Sequence, residues 1–399
     1  MTKNKLISVL SEKELLIRER AIKNSPSVRK VTSKEEISAW TDSYFNRTSE
    51  IVQNYGDVQV TYAFFLRRPS LSACSLALEW LKNVSEVQGF SYKIEAFVPE
   101  GEWVGGGDPL FYLVGPLHFL APLETLLLQK IGAACVAAYN AFQLASELLL
   151  TPFLAMDARH CAGSEMQEIM AYAASVGSLA AKQIGAKGFI GSANNITAPF
   201  FGCEKGVGTM PHALIGYAGS TLEAAKMFHE TYPDENLVCL VDYFGKEITD
   251  AIEVAQYFPE MVEQGRFWVR LDTHGGRFLE GLDPQSSYAV IDRHIPQIIR
   301  RYCSERELQY LVGTGVSAAA IWKMRESLDQ VGLQKVKILG SSGFNARKCM
   351  VMRDAKAPLD AIGTGSFLPS TWSETYATAD IVEYDGVKKV KIGREFLLR

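Results

Sequence analysis

The chain has 399 residues, of which 47% are apolar and 22% are charged, and its formal net charge is −4 at pH 7. These fractions are ordinary for a globular protein, and the length predicts two domains rather than one. So small a net charge supplies no overall field to hold a nucleic-acid backbone, although a local basic patch stays open. We therefore expect no nucleic-acid partner.

Seven cysteines are scattered along the chain without the C-x-x-C spacing of a zinc site. Their odd number and their dispersion argue against a disulfide framework and indicate a reducing compartment. They are Cys74, Cys135, Cys161, Cys203, Cys239, Cys303 and Cys349. The N-terminal segment lacks the apolar core of a secretory signal, and the longest apolar stretches are too short and too interrupted to span a bilayer. We expect a cytoplasmic protein that has no membrane partner.

The first 150 residues mix helical and strand patterns. Residues 1–40 are polar, charged and helix-prone, which predicts a peripheral helical extension. Residues 41–150 are predicted to form an α+β domain that begins with a loop carrying an aromatic pair. Its predicted strands are 57–66, 91–98 and 108–114, and its predicted helices are 71–84 and a Leu/Ala-rich helix over 123–150.

From residue 151 onwards the pattern becomes a repeat of short apolar strand, polar loop and helix. The predicted strand ends are 156–159, 189–193, 207–210, 240–243, 269–272, 312–315, 338–342 and 362–365. Helices are predicted between them, for example over 165–184, 213–231, 247–258 and 317–331. Eight such units predict an α/β fold with a (β/α)₈ barrel over residues 151–370, and an open doubly wound sheet is the alternative. The tail, 371–399, is predicted to form a hairpin around Asp385–Gly386. It should return to the N-terminal domain, since the eight units of the barrel are already used.

The most informative strand end is WVRLDTHGG, residues 268–276, where an apolar strand changes abruptly into a carboxylate and two glycines. Function in a (β/α) barrel lies at the carboxyl ends of the strands, so Asp272 is predicted to bind a diol of the substrate. The alternative is that Asp272 caps the following helix. Polar side chains at the strand ends are further candidates for catalysis or substrate binding: Arg159, His160, His212, Asp242 and Arg270.

Two glycine-rich loops follow the last two predicted strands, GSSGFN at residues 340–345 and GTGSF at residues 363–367. Barrels commonly bind phosphate at the loops after strands seven and eight, where backbone N–H groups approach the oxyanion. The alternative is that the glycines only form tight turns. The residues predicted to form the phosphate cradle are Ser341, Ser342, Gly343, Gly363, Thr364 and Gly365. A cradle beside a diol-binding aspartate indicates a phosphorylated sugar as the substrate.

Six segments, taken in order, resemble those of a known family. They are TDSYFNRT from residue 41, EGEWVGGGDPLFYLVGPLHFLAPLETLLL from residue 100, GVGTMPHAL from residue 206, WVRLDTHGG from residue 268, ILGSSGFN from residue 338 and DAIGTGSF from residue 360. From residue 41 to the C-terminus the chain resembles the nicotinate phosphoribosyltransferases, which have the type II phosphoribosyltransferase fold. The similarity is greatest to their shorter, archaeal-like form.

The resemblance implies a reaction and a role for each matching residue. Members of this family form nicotinate mononucleotide and pyrophosphate from nicotinate and Mg²⁺-bound 5-phosphoribosyl-1-pyrophosphate, in NAD biosynthesis. Asp272 would bind the ribose hydroxyls, Arg270 would be directed toward phosphate, and Arg159 would face the pyridine carboxylate. Tyr44 would stack on the pyridine ring from the neighbouring subunit of a homodimer or higher homo-oligomer. His212 matches the histidine that some members phosphorylate from ATP, so ATP is a further expected ligand.

The sequence departs from the family pattern where the base is bound. Met156 and Asp157 stand ahead of Arg159, where the family has an aromatic residue and glycine, and Ala193 replaces a polar residue. Asn345 replaces the carboxylate of the loop after the seventh strand. The base therefore stays open between nicotinate and another aromatic acid such as quinolinate. A non-catalytic protein that kept the phosphate cradle is the third alternative.

Overall fold

The computed structural model of the protein describes residues 9–301, 304–374 and 376–398, so Cys303 lies outside the described residues. Its strands are β1 Gln59–Leu66, β2 Ser70–Leu71, β3 Lys93–Glu95, β4 Trp103–Val104, β5 Pro109–Pro116, β6 Phe153–Ala155, β7 Phe189–Ser192, β8 Leu237–Leu240, β9 Phe267–Leu271, β10 Lys337–Gly340, β11 Ala361–Thr364, β12 Ala377–Tyr384 and β13 Val387–Lys388. Its helices are α1 Glu12–Asn24, α2 Lys34–Trp40, α3 Ser43–Tyr55, α4 Ser75–Gln88, α5 Leu117–Leu120, α6 Glu124–Glu147, α7 Ser164–Gln183, α8 His212–Ala218, α9 Thr221–Thr231, α10 Glu247–Tyr257, α11 Pro259–Glu263, α12 Pro284–His294, α13 Glu305–Val312, α14 Ala318–Gln330 and α15 Ala346–Asp354.

An antiparallel sheet is built from both ends of the chain, in the order β13-β12-β1-β5-β3. Its central strand β1 is buried over residues 60–66, which read VTYAFFL, so β-branched and aromatic side chains fill both faces. β12 runs antiparallel to β1, with Asp380 opposite Ala63. The turn into β13 passes through Asp385 and Gly386, both in the left-handed backbone region that such tight hairpins require. The tail therefore pairs with the N-terminal sheet, while the domain boundaries stay predictions.

A parallel sheet of six strands has the order β7-β6-β11-β10-β9-β8. Because its earliest strand, β6, pairs with its last strand, β11, the sheet curls and its edge strands β7 and β8 approach a common gap. Residues 207–210 span that gap. The Val207 N–H donates to the Ser192 carbonyl at 2.8 Å, and the Met210 N–H donates to the Val238 carbonyl at 3.4 Å. The gap thus has one backbone hydrogen bond on each side instead of a ladder.

The predicted closed barrel of eight strands is not confirmed. The segment 207–210 contains a glycine and ends before Pro211, and both residues disfavour a regular strand. It therefore forms no continuous set of backbone hydrogen bonds with β7 or β8. The segment 312–315 is the end of α13 followed by a turn through Gly315, whose φ is +77°. What the structure shows is a mixed α/β fold with a curved parallel sheet. Its six parallel strands still present their carboxyl ends on one side, where we expect the site.

The stretch Leu117–Glu147, which comprises α5, a short turn and α6, is long and apolar enough to suit a membrane span. However, 67% of its most apolar window is buried inside the protein, and α6 makes its most extensive contact with α7. Small residues line this contact, and Gly177 of α7 lies directly over the Ala138 carbonyl of α6. The stretch therefore behaves as a core helix, apolar on all sides because it is surrounded by protein.

We expect Gly177→Ala to lower the free energy of unfolding by about 3 kcal/mol, because overpacking forces the backbone to shift. A methyl group on Gly177 would lie 2.0 Å from the Ala138 carbonyl oxygen. Denaturant unfolding monitored by circular dichroism measures the change. Gly208→Ala is the control, since its methyl group would meet nothing within 4 Å and its φ lies outside the left-handed region. Equal stability of both variants would show that α6 and α7 separate without cost.

The N-terminal segment packs into the molecule, in contrast to the peripheral extension predicted. Arg18 of α1 is 8% exposed and its Nη2 lies 3.1 Å from Glu100 Oε2. After α1, the Ser25 hydroxyl and the Ser27 N–H both donate to Glu168, a buried carboxylate on α7. Buried polar pairs of this kind are lost together when the segment detaches, so the segment forms part of the fold.

Candidate active site

The carboxyl ends of β9 and β10 hold a connected set of polar side chains. Arg270 of β9 donates through Nε to Ser341 Oγ at 3.0 Å and through Nη2 to Asp272 Oδ2 at 3.1 Å. Its third donor, Nη1, reaches Thr209 Oγ1 at 3.1 Å. Ser341 Oγ also lies 2.9 Å from Asp272 Oδ1. The side chains of Arg270 and Asp272 are only 12% and 14% exposed, so water screens this network weakly.

Asp272 does not cap the helix that follows it. The next helix is α12, and its first turn is capped by Asp283, whose carboxylate accepts from the Ser286 N–H at 2.7 Å. Asp272 instead stands two residues after Arg270, on the same side of the extended strand. The alternative that Asp272 is a helix cap is therefore wrong, and its carboxylate lies at the sheet edge instead.

The loop after β10 presents three consecutive backbone N–H groups. Ser342 and Gly343 both adopt the left-handed conformation, with φ of +73° and +65°. In the part of the chain that the structure describes, the N–H groups of Ser342, Gly343 and Phe344 have no hydrogen-bond acceptor. Asn345 then caps α15 by accepting from the Lys348 N–H. A turn of consecutive N–H groups at the start of a helix suits an anion.

Lys348, in the first turn of α15, lies beneath this loop, and the sequence did not single it out. Its Nζ donates to the Ser342 carbonyl oxygen at 2.7 Å and stands 4.2 Å from the centre of the Phe344 ring. The residue is 5% exposed. Burial lowers the pKa of its ammonium group to about 7, although the nearby Cys349 and Asp272 raise it. The side chain of a buried lysine therefore contacts the loop that carries the three N–H groups.

A cavity of about 430 Å³ opens over the same loop. Ser342, Gly343 and Lys348 line it, together with Glu305, Arg306 and Tyr310 of α13. The volume is within the range of small-molecule sites. The cavity thus combines cationic side chains with unengaged backbone donors.

The other predicted cradle residues have mainly packing roles. Gly363 and Thr364 lie within β11, and the Thr364 hydroxyl donates to the Phe344 carbonyl at 3.2 Å. A methyl group on Gly363 would lie 2.8 Å from the Met156 sulfur, and one on Gly365 would lie 2.4 Å from the Met156 carbonyl oxygen. These glycines therefore allow β11 to pack against the end of β6. Gly365 is the only one of the three that lies beyond the strand.

Beyond β6, Arg159 and His160 are both exposed, and Arg159 Nε lies 3.4 Å from His160 Nε2. Asp157 is instead 3% exposed. Burial raises the pKa of its carboxyl group to about 6, against the opposing effect of hydrogen bonds from its own N–H and from the Cys161 thiol. The position where the sequence departs from the family pattern is thus occupied by a buried acid.

His212 and Asp242 form a pair at the edge of the gap. His212 begins α8, and its Nε2 lies 2.9 Å from Oδ1 of Asp242, which follows β8. The imidazole is 47% exposed, whereas the carboxylate is 9% exposed. Nδ1 has no protein partner among the described residues. The carboxylate can therefore orient the ring while the other ring nitrogen stays accessible.

Tyr44 lies in the first turn of α3, outside the network at the strand ends. It is 60% exposed, and its hydroxyl donates to Asp42 Oδ2 at 2.9 Å. Its ring centre lies 4.5 Å from that of Phe45. Its contribution to the site of a neighbouring subunit stays a prediction.

Across residues 9–301, 304–374 and 376–398, no three His, Cys, Asp or Glu side chains cluster as a protein-only metal site requires. Mg²⁺ commonly takes one or two carboxylates, several waters and the phosphates of its substrate. Asp242 is a carboxylate at the sheet edge whose Oδ2 accepts no hydrogen bond from the described residues. The residues present therefore fit a Mg²⁺ that arrives with a diphosphate substrate.

Comparison with known proteins agrees with the motifs, although no family model matches the chain. The nicotinate phosphoribosyltransferase pncB2 of Mycobacterium tuberculosis is 23% identical over 293 residues, in two strains. The match covers 73% of this chain and 50% of the relative, so the chain spans about half the length of the curated relatives it matches.

Solved structures share the fold over most of the chain. A nicotinate-nucleotide pyrophosphorylase from Pyrococcus furiosus superposes with a TM-score of 0.67 at 24% identity, covering 91% of this chain and 80% of that one. Human nicotinic acid phosphoribosyltransferase gives a TM-score of 0.58 at 15% identity, covering 88% and 75%. The chain therefore has the fold of the type II phosphoribosyltransferases, and the resemblance to nicotinate phosphoribosyltransferases that its motifs predicted is confirmed.

Proposed function

We propose that the protein is a phosphoribosyltransferase that forms nicotinate mononucleotide and pyrophosphate from nicotinate and 5-phosphoribosyl-1-pyrophosphate. The observation that carries this proposal is the network of Arg270, Asp272 and Ser341 beside the unengaged N–H groups of the following loop. It offers acceptors for a diol and donors for a phosphate at one sheet edge. The names of the curated relative and of the structural neighbours support the same chemistry.

Asp272 is built to bind two neighbouring hydroxyl groups. Its Oδ1 accepts from Ser341 and its Oδ2 accepts from Arg270. A carboxylate has about four acceptor sites, so about two remain for the ribose 2′- and 3′-hydroxyls. Since Arg270 and Ser341 fix the carboxylate, the ribose would dock in one orientation, which lowers the entropic part of the barrier.

The reaction breaks the bond between C1 and pyrophosphate and forms a bond between C1 and the pyridine nitrogen. Positive charge develops on the ribose ring as the leaving group departs, and the carboxylate of Asp272 stabilises it. The N–H groups of Ser342, Gly343 and Phe344 would hold the 5′-phosphate. Arg159 is the exposed guanidinium at the end of β6 that can bind the carboxylate of the base. Mg²⁺ would neutralise charge on the departing pyrophosphate.

ATP coupling forms part of the proposal because His212 offers an exposed ring nitrogen while Asp242 holds the other one. The carboxylate of Asp242 fixes the orientation of the ring, so that Nδ1 is directed away from it. Phosphorylation of Nδ1 would leave the bond to Asp242 intact.

We expect His212→Ala to remove any stimulation of turnover by ATP while the basal rate stays within about threefold, because the ring forms no hydrogen bond with the described residues of the Asp272 network. Steady-state pyrophosphate release with and without ATP measures both quantities. His118→Ala is the control, since that histidine pairs with Asp57 in the N-terminal part of the chain. A fall in the basal rate as large as that of Asp272→Ala would show that His212 acts in phosphoribosyl transfer itself.

We also propose a cytoplasmic homodimer, or a higher homo-oligomer, in which Tyr44 of one subunit completes the site of its neighbour. The exposure of the Tyr44 ring supports this, because an aromatic ring with a free face can stack on a pyridine. Sedimentation analysis of the wild type tests the assembly. A monomer that is fully active would contradict a shared site.

The function is tested by measuring pyrophosphate release from phosphoribosyl pyrophosphate and Mg²⁺ with nicotinate, nicotinamide or quinolinate. Release with nicotinate alone is the expected result. Release with quinolinate, accompanied by CO₂, would identify a decarboxylating enzyme instead. Binding of phosphoribosyl pyrophosphate without release with any of the three bases would indicate another base or the non-catalytic alternative.

A further inference from the structure

The contact of Lys348 with the loop above it has a directional consequence. Lys348 Nζ donates to the Ser342 carbonyl oxygen at 2.7 Å. The carbonyl of Ser342 and the N–H of Gly343 belong to one planar peptide unit and point in opposite directions. An ammonium group on the carbonyl side therefore directs the Gly343 N–H away from Lys348 and strengthens it as a donor by polarising the peptide.

The charge of Lys348 lacks a close counter-ion. Its ammonium forms one hydrogen bond, to a neutral carbonyl, and no carboxylate in the described part of the chain lies within 4.0 Å of it. The Phe344 ring at 4.2 Å and the Tyr310 ring at 5.8 Å offer only the weaker attraction of an aromatic face. The burial of a cation in such a setting is costly unless an anion joins it.

Titratable and charged groups lie on α15 and on the elements next to it. They are Glu305, Arg306, Glu307 and Tyr310 on α13, Asp272 at the end of β9, Glu147 on α6, and Arg347, Cys349, Arg353 and Asp354 on α15. The acids among them are engaged elsewhere, since Glu307 pairs with Arg347, Glu147 with Arg353 and Asp272 with Arg270. Glu305 also lines the cavity, but it is not among the groups that shift the pKa of Lys348.

We propose that Lys348 is a positioning residue that holds the Ser342–Gly343 turn and takes up a proton when a phosphate-bearing ligand binds over that turn. The proposal rests on the proposed phosphoribosyl site, whose 5′-phosphate would be that ligand. A phosphate monoester is a dianion above about pH 7. Its charge, acting across a single peptide unit on the buried side chain of Lys348, favours the ammonium form over the amine.

The coupling has a definite sign with respect to pH. Burial lowers the pKa of Lys348 to about 7 in the free protein, and the bound dianion raises it. Below pH 7 the ammonium is already formed, so binding takes up no proton there. Above pH 7 the proton must come from solvent, so the affinity for phosphate monoesters falls by up to about tenfold per pH unit.

The test is calorimetric titration of the full chain with ribose 5-phosphate at pH 8, without Mg²⁺ or base, in two buffers of different ionisation enthalpy. Ribose 5-phosphate is already dianionic at this pH, so any uptake belongs to the protein. We expect uptake by the wild type of up to about 0.9 proton per ligand bound, the limit for a free-state pKa near 7 and a fully protonated lysine in the complex. Lys348→Arg, which stays charged at every pH used, and Lys348→Met, which never carries charge, should both show none. Lys335→Met, a variant of an exposed lysine paired with Glu263, should match the wild type.

Loss of uptake in Lys348→Arg, with binding retained, supports the proposal even where Lys348→Met does not fold. Equal uptake in the wild type and in Lys348→Arg would overturn it, as would the absence of ribose 5-phosphate binding to the wild type. The proposed reaction is judged separately. If the wild type takes up a proton but transfers phosphoribosyl to no base, the role of Lys348 is supported and the proposed reaction is wrong. If it transfers phosphoribosyl without proton uptake, the reaction is supported and the role of Lys348 is wrong.

Discussion

Asp272→Ala is expected to lower kcat/KM for phosphoribosyl pyrophosphate by about 100- to 10,000-fold. The substitution removes two hydrogen bonds from ribose hydroxyls to a charged acceptor, each worth about 1.5–3 kcal/mol, together with the negative charge beside the developing cation. Pyrophosphate release at saturating nicotinate measures the loss, and circular dichroism establishes that the variant is folded.

Two variants sharpen this experiment. Asp272→Asn keeps the shape of the side chain but loses the charge and half of the acceptor capacity, so its rate should lie between those of the wild type and Asp272→Ala. Asp234→Ala, in an exposed turn, should behave as the wild type. Near-normal activity of Asp272→Ala would mean that the carboxylate serves only to hold Arg270 and that the diol is bound elsewhere.

Arg270→Met is expected to lower the free energy of unfolding by about 3 kcal/mol, in addition to reducing turnover. Arg270 satisfies Asp272, Ser341 and Thr209 at once, and its ion pair with Asp272 is largely shielded from water. Removal of Arg270 leaves the charge of Asp272 shielded from water and without a partner, and this lowers the free energy of unfolding. Denaturant unfolding at neutral pH measures the change.

The cause of that loss can be isolated by a second substitution. Arg270→Met combined with Asp272→Leu removes both charges and should recover most of the lost stability without recovering activity. Arg293→Met is the control for loss of an arginine, since Arg293 is 54% exposed in its pair with Glu326 and should cost less than about 1 kcal/mol. If the double variant is no more stable than Arg270→Met, packing rather than charge explains the effect.

The local signals in the sequence located several elements closely. The predicted helix at 247–258 corresponds to α10, and the predicted strand end at 269–272 corresponds to β9 and Asp272. One local signal was overlooked: residues 213–231 form two helices rather than one. Gly219 ends α8 in the left-handed conformation, and Ser220 caps α9 by accepting from the Glu223 N–H. A glycine followed by serine is a stop and a start signal within one dipeptide.

Two features of the site were not predicted: the burial of Lys348 and the hydrogen bond between Thr209 and Arg270. Lys348 stands three residues after a helix cap, where a lysine usually faces solvent, and nothing in its neighbours along the chain shows that it is buried. Thr209 was recognised as a polar residue at a strand end, but its hydrogen bond with Arg270, 61 residues away, was not predicted. Burial and long-range pairing depend on which surfaces meet in three dimensions, so no periodicity reports them.

The sequence by itself determined the α/β pattern, the polar strand ends that include Asp272, and the serine- and glycine-rich turn at Ser341–Gly343. These follow from local rules: apolar runs form buried strands, and glycines and hydroxyls mark the turns that follow them. Only the tertiary structure decided that six strands rather than eight form the sheet, that β6 pairs with β11, and that Lys348 lies uncompensated under the loop. Those outcomes depend on hydrogen-bond partners and desolvation contributed by distant segments, which a single stretch of sequence does not contain.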